Sequence, residues 1–378
     1  MKDKKGVFAD FFKELDLSLV TKLLYLMGFM LLLIFVVSLL PFFDNVDFQT
    51  TAHIGDSLGG FTAPIIGLLA VITTFLAFVA QYKANEEIRN QFKHERFETK
   101  FYELLRLHQH NVSEMEIDGR FKGRKAFVKM YDELRFIYAF LLEERLKWNN
   151  REEMEVYKIE ASIMETAYTI FFFGLDEVKQ GFETNTPFQH ALHTPFVLHS
   201  LNALSDLRDL GQNGKGKYEL NTSSADMANV RWCPSYKPFG GHVSKLGHYY
   251  RHLYQLVKYV SSNNDLGLSF EQKYEYIKTV RAQLSNHEQA LIYFNSFFVA
   301  GRIWWAERHH NHSKILRNER GEVLSYFLDY RIIKNLPLNL TKFGPQPIAE
   351  FTSALEERGR TKGEIAEELK ELLEWIGG

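Results

Sequence analysis

The sequence predicts an all-α protein in which a two-helix transmembrane hairpin precedes one large cytoplasmic α-helical domain. Two long apolar runs without charged residues lie close together near the N-terminus. Apolar residues then recur at helical intervals through most of the chain, whereas the alternation typical of strands is scarce. The 378 residues carry a formal net charge of -2, so no global basic field would draw the protein onto nucleic acid.

The two apolar runs occupy residues 23–43 and 57–81, and each is long enough to cross a bilayer, which takes roughly 20 residues. Residues 44–56 are then a short external loop, residues 1–22 an N-terminal segment and residues 82–378 the helical domain. Two such runs, so close together at one end of a polar chain, disfavour the alternative of buried helices in a soluble protein. Acidic residues before the first run, and the lack of a small-residue cleavage site, disfavour a signal peptide.

Lysine and arginine lie before the first run and after the second, but not between the two. Basic residues near the ends of a span are retained in the cytoplasm during insertion, so both termini are predicted to be cytoplasmic. The loop between the runs has no lysine or arginine. The residues that decide the orientation are Lys2, Lys4, Lys5, Lys13 and Lys22 before the hairpin and Lys83, Arg89, Lys93, Arg96 and Lys100 after it.

Small residues recur every four positions in and just before the second run, at Gly55, Gly59, Ala63 and Gly67, and Pro64 can kink the helix there. A stripe of this kind permits close contact between helices in lipid. It predicts packing either against the first run or against another copy of the chain. The stripe is therefore compatible both with an ordinary packed hairpin and with an oligomeric span that opens a leak. The absence of charged residues from the two runs disfavours a selective ion pathway.

The region after the hairpin is predicted to form one compact helical domain. The single cysteine, Cys233, cannot form an internal disulfide, as expected in a reducing compartment. Gly, Asn, Ser and Pro are frequent in residues 211–241, which predicts a long irregular loop. The apolar spacing predicts helices at about 86–110, 127–141, 155–174, 188–209, 243–261, 269–300 and 352–375.

Three ordered blocks of this domain resemble a known family. They are FETKFYELL at 97–105 with LH and NV up to 112, LGHYYRHLY at 246–254 with VKY at 257–259, and RAQLS at 281–285 running into Glu288 and LIYFN at 291–295. Together they resemble the phage abortive infection proteins related to abortive infection protein C. The resemblance implies a bacterial inner-membrane protein that stops phage propagation by harming or arresting the infected cell. It supplies no catalytic mechanism.

Two groups of histidines have spacing that suits metal binding. His248 and His252 stand four apart on a predicted helix, which places both rings on one face. Further ligands at a suitable spacing are not evident, so structural histidines on an aromatic face are the favoured interpretation. His309, His310 and His312 are interpreted as a polar surface turn. No metal site and no cofactor is predicted.

Arg281 and His287 have the loose spacing of a phosphate-binding and catalytic pair in helical ribonucleases. That chemistry suits a toxin and defines the rival hypothesis, a membrane-tethered ribonuclease. The family resemblance leads us to expect an aromatic residue at the position of His287, and this departure disfavours the hypothesis. The alternative is a polar network of Arg281, Gln283 and Glu288 that fixes the register of the helices.

Arginine and tyrosine groups on two neighbouring predicted helices define the candidate functional core. Arg251, flanked by Tyr249, Tyr250 and Tyr254, can bind an anionic ligand or form an internal ion pair. The predicted core consists of His248, Tyr249, Arg251, Tyr254, Arg281, Gln283, Glu288 and Asn295.

The leading hypothesis is a membrane-anchored abortive-infection effector that is not an enzyme in the usual sense. Its helical domain would sense infection, and its hairpin would anchor the protein or execute membrane damage. A scaffold that recruits other defence proteins is a further alternative. The predicted partners are the lipid bilayer, further copies of the chain, and a phage-derived protein or nucleic acid as the trigger.

Overall fold

The computed structural model describes residues 48–148, 160–184, 195–213, 218–220, 230–232, 234, 236–306, 316–334 and 336–373, together with residues 22, 25–26, 28–33 and 35–36. It divides into two compact units, Met1–Phe97 and Glu98–Gly378. The domain boundary predicted at residue 82 stays a prediction.

Helix α1 spans Phe48–Ser113 and contains Pro64. It begins inside the segment predicted as an external loop, since residues 48–54 contain neither glycine nor proline to end a helix. From Thr62 onward α1 is long and apolar enough to cross a membrane, and only 11% of its most apolar 18-residue stretch is buried. Low burial distinguishes it from the core helix of a soluble protein.

The first apolar run is described only in part. Its described residues are helical, and large side chains such as those of Phe29, Leu32 and Phe35 are exposed. Because α1 is the one candidate span among the described residues, the two-helix hairpin stays a prediction.

The second unit is mainly helical, which confirms the all-α class. Its elements are β1 (Glu116–Ile117), β2 (Phe121–Lys122), α2 (Arg124–Lys147), α3 (Glu160–Phe173), α4 (Leu175–Thr184), α5 (Pro195–Asn213), β3 (Tyr218–Leu220), β4 (Val230–Trp232), α6 (Val243–Ser261), α7 (Phe270–Arg281), α8 (Asn286–Asn295), α9 (Pro347–Glu357) and α10 (Lys362–Leu372), with 3-10 turns at Arg302–Trp304 and Leu338–Leu340. β1 pairs with β2 and β3 pairs with β4, both antiparallel.

The predicted helix at 269–300 is wrong as a single element, because the chain forms α7 and α8 with a break between them. Ser285 caps α8: its hydroxyl accepts from the Glu288 backbone N–H (3.4 Å), and the Glu288 carboxylate accepts from the Ser285 N–H (2.9 Å). This capping box satisfies backbone donors that would otherwise lack partners and so favours a new helix start. Thr361 and Glu364 start α10 in the same way, so the predicted helix 352–375 also becomes two.

The interval 211–241, predicted as an irregular loop, contains regular structure. α5 continues to Asn213, and β3 faces β4 in the register Tyr218↔Trp232 and Leu220↔Val230. Both strands are too short for an alternating pattern within them to predict a strand.

A buried carboxylate on α2 fixes the chain just before α6. Glu133 is fully buried and accepts from the Tyr236 hydroxyl (2.6 Å) and the Phe239 backbone N–H (2.8 Å), and His242 Nε2 lies 3.0 Å from it. Gly241 follows with φ 80°, and a Cβ there would collide with the Phe173 carbonyl. Only glycine permits this close approach, which places His242 as the N-cap of α6.

Half-buried ion pairs stabilise the C-terminal helices. The Arg358 guanidinium binds both carboxylate oxygens of Asp329 at 2.9 and 3.0 Å, and the Asp329 carboxylate also accepts from the Ser325 N–H (2.7 Å). Arg360 binds Glu322 and Glu368. These contacts tie residues 318–329 to the turn between α9 and α10.

Candidate functional site

A hydrogen bond between two buried side chains joins α6 to α8. The Tyr249 hydroxyl donates to Glu288 Oε1 at 3.0 Å, and both side chains are fully buried. The other carboxylate oxygen accepts from the N–H and hydroxyl of Ser285, and the Arg124 Nε lies 3.8 Å away. A buried carboxylate is unfavourable unless donors surround it, so these contacts are what permit Glu288 to lie in the core.

A second layer of hydrogen bonds continues toward the end of α8. The Tyr168 hydroxyl on α3 donates to the Tyr250 hydroxyl (2.8 Å), which donates to the Leu291 carbonyl (3.2 Å). Asn295 Oδ1 accepts from the Trp304 indole N–H at 3.3 Å. The polar atoms of α6 and α8 are therefore used to fix helix positions.

The chemistry of these groups favours a structural role. Burial and the neighbouring Glu288 raise the pKa of Tyr249 well above its ordinary value, so the phenol stays protonated and acts as a donor. A carboxylate whose oxygens already accept from Tyr249 and Ser285 is poorly placed to take a proton from a substrate.

The eight residues of the predicted core do not all lie together. Tyr249, Glu288 and Asn295 are buried in the network just described, whereas His248 and Arg251 are exposed on α6. The Tyr254 hydroxyl accepts from Lys258 Nζ (3.2 Å), and its ring packs edge-on against Trp304. The Gln283 carbonyl accepts from Arg124, and its side-chain oxygen accepts from Gln109 (2.9 Å).

Arg281 and His287 contact different parts of the unit. The Arg281 guanidinium donates to the Arg331 carbonyl (2.9 Å) and lies over the Tyr274 ring. The His287 ring packs edge-on against Tyr131 on α2, and burial lowers its pKa. The two side chains thus have separate structural partners. The ribonuclease hypothesis stays a prediction.

The described residues contain no group of three or more His, Cys, Asp or Glu side chains that could hold a metal ion. His309, His310 and His312, and also Cys233, lie outside the described residues.

Sequence reasoning missed several residues of the network. Arg124, Tyr168 and Ser285 were not singled out, although Ser285 and Glu288 have the spacing of a capping box. Glu133 stands within the apolar stripe of α2, and an acidic residue in such a stripe is a signal of a buried, hydrogen-bonded carboxylate.

His108 was part of a family-like block but was given no role. Its side chain is 1% exposed and its ring lies 5.1 Å from that of Tyr249. Neither ring nitrogen has a hydrogen-bond partner in the described part of the chain. Burial, and to a lesser extent His252, lower the pKa of His108 to about 4.

Two helices of this network, α6 and α8, lie within a family match. Residues 241–308 match the family described as "Putative phage abortive infection protein". The predicted resemblance to phage abortive infection proteins is confirmed over this segment, which contains α6, α7 and α8. Comparisons with curated proteins and with solved structures gave no match.

The Tyr249→Phe variant tests the joint between α6 and α8. It removes one donor from the buried Glu288 carboxylate, and we expect the free energy of unfolding to fall by about 1–3 kcal/mol. The measurement is thermal or denaturant unfolding of the detergent-solubilised full-length protein. Tyr102→Phe is the control, because the Tyr102 side chain is exposed on α1. Equal stability of both variants would show that the Tyr249 hydroxyl does not hold the helices together.

The low pKa of His108 predicts acid sensitivity. Because the unfolded state takes up a proton near the ordinary pKa of 6.5 and the folded state only near 4, stability is complete above pH 6.5 and falls as the pH drops toward 4. The loss approaches about 3 kcal/mol. Unfolding measured between pH 7.5 and 4.5 should show this loss in the wild type and in His110→Leu, an exposed control, but a smaller loss in His108→Leu. Parallel pH profiles for all three proteins would contradict the assignment.

Proposed function

We propose that this protein is a membrane-anchored abortive-infection effector. In this proposal the C-terminal unit senses a phage-derived protein or nucleic acid, and the N-terminal spans anchor the protein and execute membrane damage. The observation that carries the proposal is the coexistence of a helix long and apolar enough to cross a membrane, with only 11% of its most apolar stretch buried in the described structure, and the abortive-infection segment at 241–308.

The sequence around the spans supports an inner-membrane protein with both termini in the cytoplasm. α1 leaves its apolar stretch through Lys83, Arg89 and Lys93, and no lysine or arginine lies in residues 44–56. This asymmetry favours retention of the C-terminal unit on the cytoplasmic side.

Contact between copies of the chain is proposed through the small-residue stripe of α1. Gly59, Ala63 and Gly67 are exposed, and no described side chain lies within 4 Å of the Cβ position at Gly59 or Gly67. Leu76 and Val79 are buried, and at about 100° per residue they lie on the opposite face of the helix. The free face suits another copy better than a partner within the chain, since small residues permit close approach in lipid.

Removing the spans tests the anchoring. A protein beginning at Asn85 should remain in the soluble fraction and lose protection against phage, while the full-length protein protects and depolarises infected cells. Plaque counts and a potential-sensitive dye measure the two effects, with protein levels matched. Protection by the truncated protein, or death of infected cells at unchanged membrane potential, would contradict the proposed execution step.

The Gly67→Ile variant tests contact between copies. A branched side chain on the stripe should prevent close helix packing and abolish cross-linked oligomers of the full-length protein in membranes. Leu68→Ile is the control, because Leu68 is exposed next to the stripe and already bulky. Unchanged cross-linking of Gly67→Ile would exclude this face as the contact.

A further inference from the structure

The C-terminal end of α1 packs on the helices that carry the family match. We call this contact the α1 seam: residues 98–113 on one side, and Tyr249, Tyr276 and Gln283 on the other. Phe101 is fully buried, and its ring packs edge-on against Tyr276 at 5.0 Å. Apolar contact of this kind provides most of the attraction across the seam.

Two hydrogen bonds that cross the seam lie at its exposed rim. Gln109 Nε2 donates to Gln283 Oε1 (2.9 Å), and the Tyr276 hydroxyl donates to Glu98 (3.0 Å). Water competes for both pairs, so these bonds contribute little to holding the seam closed.

The interior of the seam contains polar groups whose hydrogen bonds are not made. His108 has two buried ring nitrogens, and Asn111 has a buried amide nitrogen, with no partner among the residues described. The two side chains are three residues apart and therefore lie on one face of α1. Burial of such groups opposes docking of α1, because water would satisfy them in the open state.

Among the described residues, the charged and titratable groups around His108 provide no ion pair that would compensate. From α6 it faces Tyr249, and the charge of His252 on the same helix disfavours a charge on His108. Beyond Tyr249, Glu288 on α8 accepts from Ser285 and lies 3.8 Å from Arg124 at the start of α2. The neutral imidazole thus lies against the aromatic ring of Tyr249.

The contact between α6 and α8 is different. Its buried polar groups include Glu288 and the Tyr249 hydroxyl, which are hydrogen-bonded to each other, and the Tyr250 hydroxyl, which donates to the Leu291 carbonyl. Gln289 Oε1 on α8 and His242 Nδ1 at the start of α6 are also buried without a partner among the described residues. The α6–α8 contact nevertheless has hydrogen bonds in its interior, whereas the two named for the seam lie at its exposed rim, so the unit should open first at α1.

We propose that the α1 seam is a release point, at which residues 98–113 leave the C-terminal unit while α6 and α8 stay packed. Because α1 is continuous from Phe48, its release would transmit a change in the C-terminal unit to the proposed span. That consequence rests on the proposed function. The release of residues 98–113 from the C-terminal unit does not depend on the proposed function.

Amide hydrogen exchange of the full-length protein in detergent micelles measures the opening directly. We expect amides of residues 98–113 to exchange roughly tenfold or more faster than those of α8. His108→Leu removes the unpaired nitrogens and should slow exchange of the segment several-fold, with α8 unchanged. His110→Leu is the matched control, since His110 is an exposed residue of the same helix and should leave exchange unaltered.

A second variant covers the case in which His108→Leu does not fold. In a Cys233→Ser background, Gln109→Cys and Gln283→Cys joined by a short thiol cross-linker should suppress the fast exchange of 98–113, and cleavage of the link should restore it. Equal exchange of 98–113 and α8 in the wild type, or fast exchange that persists in the cross-linked protein, would overturn the proposal. A protein that opens at the seam yet leaves membranes intact would instead refute the proposed function.

Discussion

A large exposed apolar surface on α1 is the physical feature that the surroundings of this protein must accommodate. Ile66, Leu68, Val71, Phe75 and Phe78 are all 45–67% exposed. Full burial of such a side chain is worth about 1.5–3 kcal/mol, and a side chain left about half in water forgoes a corresponding part of that energy. A bilayer removes this penalty, and the backbone hydrogen bonds of a helix are still formed within the helix there. The exposed apolar surface therefore favours contact with lipid or with a protein partner.

The C-terminal unit instead contains buried carboxylates. Glu133 and Glu288 are both fully buried, and each is surrounded by a tyrosine hydroxyl and a backbone N–H. Each carboxylate joins segments distant in sequence, so the network specifies how α2, α6 and α8 fit together. His108 lies at the edge of this network, and its ring nitrogens have no hydrogen-bond partner among the described residues.

Local patterns predicted much of this architecture. The uncharged runs, the helical spacing of α2 and α6, and the family-like blocks could all be found in the sequence because each depends on neighbours within a few turns. The capping boxes at Ser285 and Thr361 were present as local signals but were outweighed by the apolar spacing around them, so two pairs of helices were predicted as single helices. Contacts between residues distant in the sequence were harder to predict. Tyr249 and Glu288 were predicted to belong to one core, but not to be hydrogen-bonded to each other. The separate partners of Arg281 and His287 could not be derived from the spacing of the two residues.

Membrane extraction tests directly whether lipid covers the exposed α1 surface. Membranes from cells that express the full-length protein are washed with alkaline carbonate, and the protein is then extracted with or without detergent. We expect the protein to stay in the carbonate-washed membrane pellet and to be released by detergent alone. Recovery of the intact protein as a soluble particle without detergent would show that α1 is covered by protein in solution, and would contradict the membrane anchor.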